Sequence, residues 1–269
     1  MDNLTAPATL GRKWDPKQVL SLLTGILAFV TGAAAVGTER AMDAMRLLHA
    51  GVDYHPDSTH SFFLGGEQSV QCARNSGIYI GAFLTLPWAW LTGRGRASGF
   101  PPIRLGMMLA LGFGLMVADG VNSLVADLGY PAAYVPNTGL RLGTGMLAGT
   151  AAGWYFLPVV NGLLWRQSDQ RPAVWGARWL VGLLTIEFGI ALAILLDAAW
   201  LAVPIAVLTS VASVTLFGSV NLLLLVLLLR SDNRYEKARE LASPVLVAVC
   251  AALVQLGLLG VLVQAVVSA

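Results

Sequence analysis

Nine side chains able to bind, pair or coordinate stand out from otherwise apolar sequence: His55, His60, Cys72, Arg74, Tyr79, Asp119, Asn122, Asn137 and Arg141. Two guanidiniums against one carboxylate leave a local positive excess, suited to an anionic group from a lipid, a substrate or Glu67. His55, His60, Cys72 and Asp119 also have the donor chemistry of zinc or copper ligands, but their spacing matches no compact metal motif. The ordinary role for these residues is structural. Arg74 and Arg141 would then snorkel or pair with Asp119 and hold a loop on the protein. A second polar set, Glu187, Asn221 and Gln255, interrupts the C-terminal apolar sequence. Hydrogen bonding between helices is its ordinary role and a proton or ion relay its sharper one.

The elements that must position these groups follow from composition. Of the 269 residues, 56% are hydrophobic and only 12% charged, too few charges for a water-exposed surface, so lipid is the expected solvent. Runs of roughly 18 apolar residues cross a bilayer as helices, and seven stretches approach that length: 19–36, 76–92, 103–119, 140–164, 179–197, 205–229 and 244–267. None shows the alternation of barrel strands, which makes the expected fold an all-α, polytopic transmembrane bundle of about seven spans. The first run follows Arg12, Lys13 and Lys17 and ends in Ala33-Ala34-Ala35, which imitates a cleavable signal. Its apolar core exceeds a typical signal region, so we expect a retained helix.

Charge sets the orientation. Placing the N-terminus in the cytoplasm and the C-terminus outside leaves thirteen of the seventeen Lys and Arg residues inside and only Arg40, Arg46, Arg74 and Arg141 outside. The outer ends of spans two, three and four then carry the nine-residue cluster. Residues 38–75 form one long outer loop, within which Glu39 to Ala50 reads as a short helix on the membrane surface, with Met42, Met45 and Leu48 on its apolar face. Glu187, Asn221 and Gln255 fall at one depth near mid-membrane, so Glu187 is expected to hydrogen-bond to Asn221 or Gln255. Gly145, Gly149 and Gly153 recur every fourth residue on span four, as do Gly106, Ala110 and Gly114 on span three. These small faces predict close packing of spans three and four.

Other chemistries lack their motifs. The chain has no phosphate loop, no zinc-protease helix and no Gly-x-Ser-x-Gly elbow, and Gly143-x-Gly145 lacks the preceding strand of a dinucleotide fingerprint. A net charge of +2 with no basic aromatic stripe excludes nucleic acid as a partner. Cys72 and Cys250 lie at different depths and are not expected to form a disulfide.

The stretch His55 to Gly81 resembles the membrane family catalogued as domain of unknown function 2085. The matching residues are His55, Ser61, Phe62, Cys72, Ala73, Arg74, Gly77, Ile78, Tyr79 and Gly81. Asp119, Asn137, Leu140, Arg141, Gly145 and Gly149 resemble the family's later pattern, so the similarity spans residues 40–155. Tyr54 replaces a family cysteine, His60 an arginine, and Asn75 the second cysteine of a pair. Whatever metal binding or disulfide those cysteines provide in relatives is largely lost here. The resemblance implies a membrane protein and a location for the site, with no established activity.

Taken together, the sequence divides into a cytoplasmic segment 1–18, a four-span unit 19–165 bearing the outer loop, and a three-span unit 166–269. The leading expectation is a multi-pass protein of the cytoplasmic membrane that binds a small ligand or ion at its outer face, with transport as one use of that binding. Two further classes stand beside it: a non-catalytic accessory subunit of a larger membrane complex, and an enzyme acting on an outer-leaflet headgroup with Arg74 and Arg141 as anion clamps. Membrane lipids are expected partners in every case, and neither substrate, cofactor nor metal is defined.

Overall fold

The structure, a computed structural model, describes residues 38–53 and 58–267. The expected first span at 19–36, the N-terminal segment and His55 lie outside the described residues. Within them the chain forms seven helices: α1 (Thr38–His49), α2 (Ala73–Leu91), α3 (Ile103–Asp127), α4 (Thr138–Leu164), α5 (Ala177–Leu195), α6 (Ala202–Leu228) and α7 (Ala242–Val267). Two-stranded pairings join Phe63–Leu64 (β1) to Glu67–Gln68 (β2) and Ala97–Gly99 (β3) to Asp169–Pro172 (β4).

Five of the helices, α3 to α7, are long and apolar enough to cross a membrane. The expectation of about seven spans is therefore met only in part. Helix α2, at the position of the expected second span, is not among the five. It packs against α4, α5 and α6, so much of its surface is shielded by protein and tolerates Arg74, Asn75 and Ser76. Helix α3 runs two turns past the expected end at 119, which places Asp119 and Asn122 within the helix rather than beyond it.

The local start signals are side-chain caps. Asn137 precedes α4 in an extended conformation, and its Oδ1 accepts from Leu140 N at 2.9 Å. Cys72 does the same for α2, its Sγ accepting from Asn75 N at 3.4 Å. The departure Asn75 thus still serves the cap through its backbone.

Helix α3 packs on α4 as expected, but the closest backbone approach joins α2 to α4. A Cβ at Gly145 would collide with the carbonyl of Arg74, and one at Gly149 with the carbonyl of Ile78. Gly77 and Gly81 reciprocate against the α4 backbone at Leu142 and Met146. This corrects the expected pairing of glycine faces. On α3 only Gly106 and Gly112 face α4, with Tyr155 Oη donating to Gly106 O at 2.8 Å, while Ala110 and Gly114 are exposed.

Helix α1 forms as expected but packs on α6 and α7. Met42 enters a cluster with Val70 and Ala206, and His49, seven residues further on the same face, is fully buried.

Candidate functional site

Where the starts of α2 and α4 meet α3, Arg74, Asp119, Ser123, Tyr134 and Thr144 form one network. Arg74, in the first turn of α2, has a charge opposed by the helix dipole there. Asp119 supplies the compensating charge. It is 2% exposed, and its Oδ2 accepts from Arg74 Nη2 at 2.7 Å. Arg74 Nη2 also donates to Ser123 Oγ at 3.0 Å, one turn along α3. Tyr134 Oη donates to Asp119 Oδ1 at 2.8 Å and Thr144 Oγ1 to Oδ2 at 3.4 Å. Both oxygens of the buried carboxylate are therefore satisfied, as burial demands.

Asn122 ties down the loop that brings Tyr134 in. Its Oδ1 accepts from Ala133 N at 2.8 Å and its Nδ2 donates to Tyr134 O at 3.0 Å. Asn137 is the α4 cap already described. These two residues position the network rather than opening toward a pocket.

Arg141 differs from Arg74. It lies in the first turn of α4, is only 4% exposed, and donates through Nη1 to the carbonyl of Thr59 at 3.1 Å. Among the described residues its Nε is buried without a hydrogen-bond partner, as is that of Arg74. Gly145, against which the Arg74 carbonyl rests, lies one turn after Arg141. The two arginines therefore stem from adjacent turns of packed helices, about 6 Å apart along the axis. Glu67, expected as one source of a balancing charge, lies 3.6 Å from Arg46 instead. His60 sits 3.5 Å from Asp127 at the end of α3.

Beneath the loop lies a second buried network that sequence reasoning missed. Gln71 Nε2 donates to His49 Nδ1 at 2.9 Å, which leaves the His49 proton on Nε2 to be donated to Ser210 Oγ at 3.0 Å. Burial lowers the His49 pKa to about 4, so the ring is neutral. Asp53 Oδ2 accepts from Cys72 N at 2.5 Å. Burial, reinforced by the Asp53 charge, pushes the Cys72 thiol up to about 12 and leaves it protonated. Tyr79 is buried on α2, one helical face along from Cys72 and Ser76. The available signal was the seven-residue spacing of Met42 and His49, which puts the imidazole on the buried face of α1.

Among the described residues no three His, Cys, Asp or Glu side chains gather in a geometry that could hold a metal. The C-terminal polar set also divides. Asn221 Nδ2 donates to Gln255 Oε1 at 3.4 Å, joining α6 to α7. Glu187 pairs with neither. It is 2% exposed, and its Oε1 accepts from Thr150 Oγ1 at 2.5 Å. The expected Asn221 or Gln255 partnership fails because α5 packs on α4, placing Thr150 opposite Glu187.

A helical bundle with five membrane-length apolar helices and a broad exposed apolar surface is an integral membrane protein. Residues 54–155 match the family model described as predicted membrane protein, domain of unknown function 2085. The resemblance read from His55 to Gly81 therefore holds over the segment that carries Arg74, Asp119 and Arg141. No curated protein and no solved structure matches the chain.

Proposed function

We propose that this protein spans the cytoplasmic membrane about seven times, N-terminus inside and C-terminus outside, and binds a small anionic group at its outer face. Arg141 carries the reading. Among the described residues it is a buried cation whose one acceptor is a neutral carbonyl and whose Nε has no partner, while the neighbouring carboxylate of Asp119 is taken up by Arg74, Tyr134 and Thr144. A buried guanidinium is stable only with compensating charge, and an anion would supply it. Arg74 is the second cation, Asn122 and Asn137 hold the surrounding backbone, and Thr59, whose carbonyl accepts from Arg141, brings the loop that carries His60 against the site. In the transport reading, the same site would load an anion for passage through the bundle.

Thermal unfolding of the detergent-solubilised protein with inorganic phosphate or acetate tests this. A saturable rise in Tm is expected for the wild type and not for Arg141→Gln, with about 2.7 kcal/mol of stabilisation at a hundredfold excess over Kd. Phosphatidylglycerol micelles distinguish a lipid headgroup from a free anion. An equal response of wild type and variant overturns the assignment.

A second reading, an accessory subunit of a larger complex, is favoured by the small-residue stripe Ala110 and Gly114 on α3. Both are exposed, and Gly114 has open space where a side chain would project. Co-purification of stoichiometric partners in mild detergent, lost on Gly114→Leu, would support it.

A further inference from the structure

Between α4 and α5 lies a groove of about 580 Å³ whose walls include Leu140, Gly143, Leu147, Val181, Leu184 and Phe188. Leu140, Val181 and Phe188 are exposed, so the groove opens sideways from the bundle toward lipid. Gly143 contributes empty space, because a Cβ there would meet nothing within 4 Å. Glu187 also lines this groove. Its Oε1 is bonded to Thr150, but its Oε2 is buried without a hydrogen-bond partner among the described residues. A carboxyl oxygen in that state costs on the order of 1–3 kcal/mol, more if charged, and calls for a partner from within the groove.

Depth decides what that partner is. Glu187 is ten residues from the start of α5 and eight from its end, about 15 Å and 12 Å along the axis. A phospholipid keeps its charged headgroup at the membrane interface and offers only acyl chain at this level. A charged ligand would pay heavily for desolvation in the hydrocarbon layer. A neutral group that is soluble in hydrocarbon meets both conditions.

We propose that the groove between α4 and α5 binds a neutral lipophile, an apolar chain carrying a hydroxyl or carbonyl group that hydrogen-bonds to Oε2 of Glu187. A carbonyl accepts from the protonated carboxyl, and a hydroxyl bonds to either form. Neither Arg74 nor Arg141 lines this groove, so the inference stands independently of the outer-face reading.

The full chain in lipid nanodiscs, titrated with decylubiquinone as the carbonyl probe and farnesol as the hydroxyl probe, provides the test by native mass spectrometry and thermal shift. At least one probe is expected to bind saturably. Gly143→Phe should weaken binding at least about tenfold while leaving the unliganded Tm unchanged, since the added ring enters open space. Val181→Trp fills the opposite wall and should do the same, which guards against a folding defect in the first variant. Glu187→Leu should abolish binding, whereas Glu187→Gln, still able to donate, should keep decylubiquinone within a few fold. The relative strength of the two probes tells carbonyl from hydroxyl. Three results overturn the proposal: no saturable binding of either probe, binding unchanged by both groove-filling variants, or a dimer that Gly143→Phe dissociates, which would make a second copy the occupant.

Discussion

Arg74 Nη2 and Asp119 Oδ2 lie 2.7 Å apart and join the start of α2 to α3 across 45 positions of sequence. Asp119 is almost fully buried while the Arg74 side chain keeps 20% exposure, so the pair anchors the first turn of α2 on α3. Removing the carboxylate would leave an unbalanced cation against protein. Asp119→Leu is expected to cost about 3 kcal/mol, with Arg74→Met/Asp119→Leu recovering much of it because both charges are gone. Denaturant unfolding in mixed micelles measures both values, and a double variant no better than the single would contradict the pairing.

Helix α2 approaches α4 at glycines that admit no side chain. Gly149→Leu should therefore destabilise by about 3 kcal/mol or more, while Gly114→Leu on the open face of α3 should leave the Tm of the isolated protein within a degree or two. Thermal scans of the two variants side by side are the check.

His49 provides a pH signature. Its pKa falls from the usual 6.5 to about 4 through burial, so between those values the unfolded chain binds a proton that the folded one refuses. Stability is thus lost as pH falls from about 6.5 toward 4 and is fully present above that window. The contribution is about 3 kcal/mol at most. Unfolding curves across pH 4–7 should flatten in His49→Gln, and a wild type insensitive in this range would refute the buried neutral ring.

The Cys72 thiol is buried and protonated, with Asp53 bonded to its backbone. Maleimide at neutral pH is expected to leave it unmodified in the folded protein and to react once the chain is denatured. Rapid labelling of the native protein, read by intact mass, would show that the loop does not cover it.

The proposed orientation has its own test. A cysteine introduced at Arg96 or Arg234 should be shielded from an impermeant thiol reagent in intact cells, while one at Ser58 should be labelled. The reverse pattern would invert the topology.

The helices of the C-terminal half were legible within a few residues, because the length of an apolar run is dictated by the thickness of hydrocarbon that it must cross. Expected runs at 140–164 and 205–229 became Thr138–Leu164 and Ala202–Leu228. The arrangement of Arg74, Asp119 and Arg141 at neighbouring helix ends was also readable, since connectivity alone places successive span ends on alternating sides. The run 76–92 was expected as a span, yet α2 is not among the five membrane-length apolar helices, because a helix packed against α4, α5 and α6 does not need a lipid-compatible surface.

Sequence alone determined the apolar, helical class of the chain and the approximate limits of its long helices, because both depend on the length and composition of each run. Only the tertiary structure decided which neighbour each residue faces. Glu187, Asn221 and Gln255 were expected at one depth, yet Glu187 turns to Thr150 while Asn221 turns to Gln255. The glycines of α4 likewise meet α2 and not α3. Rotation about a helix axis is set by how all the helices pack at once, and spacing within one helix carries no record of which partner its face will meet.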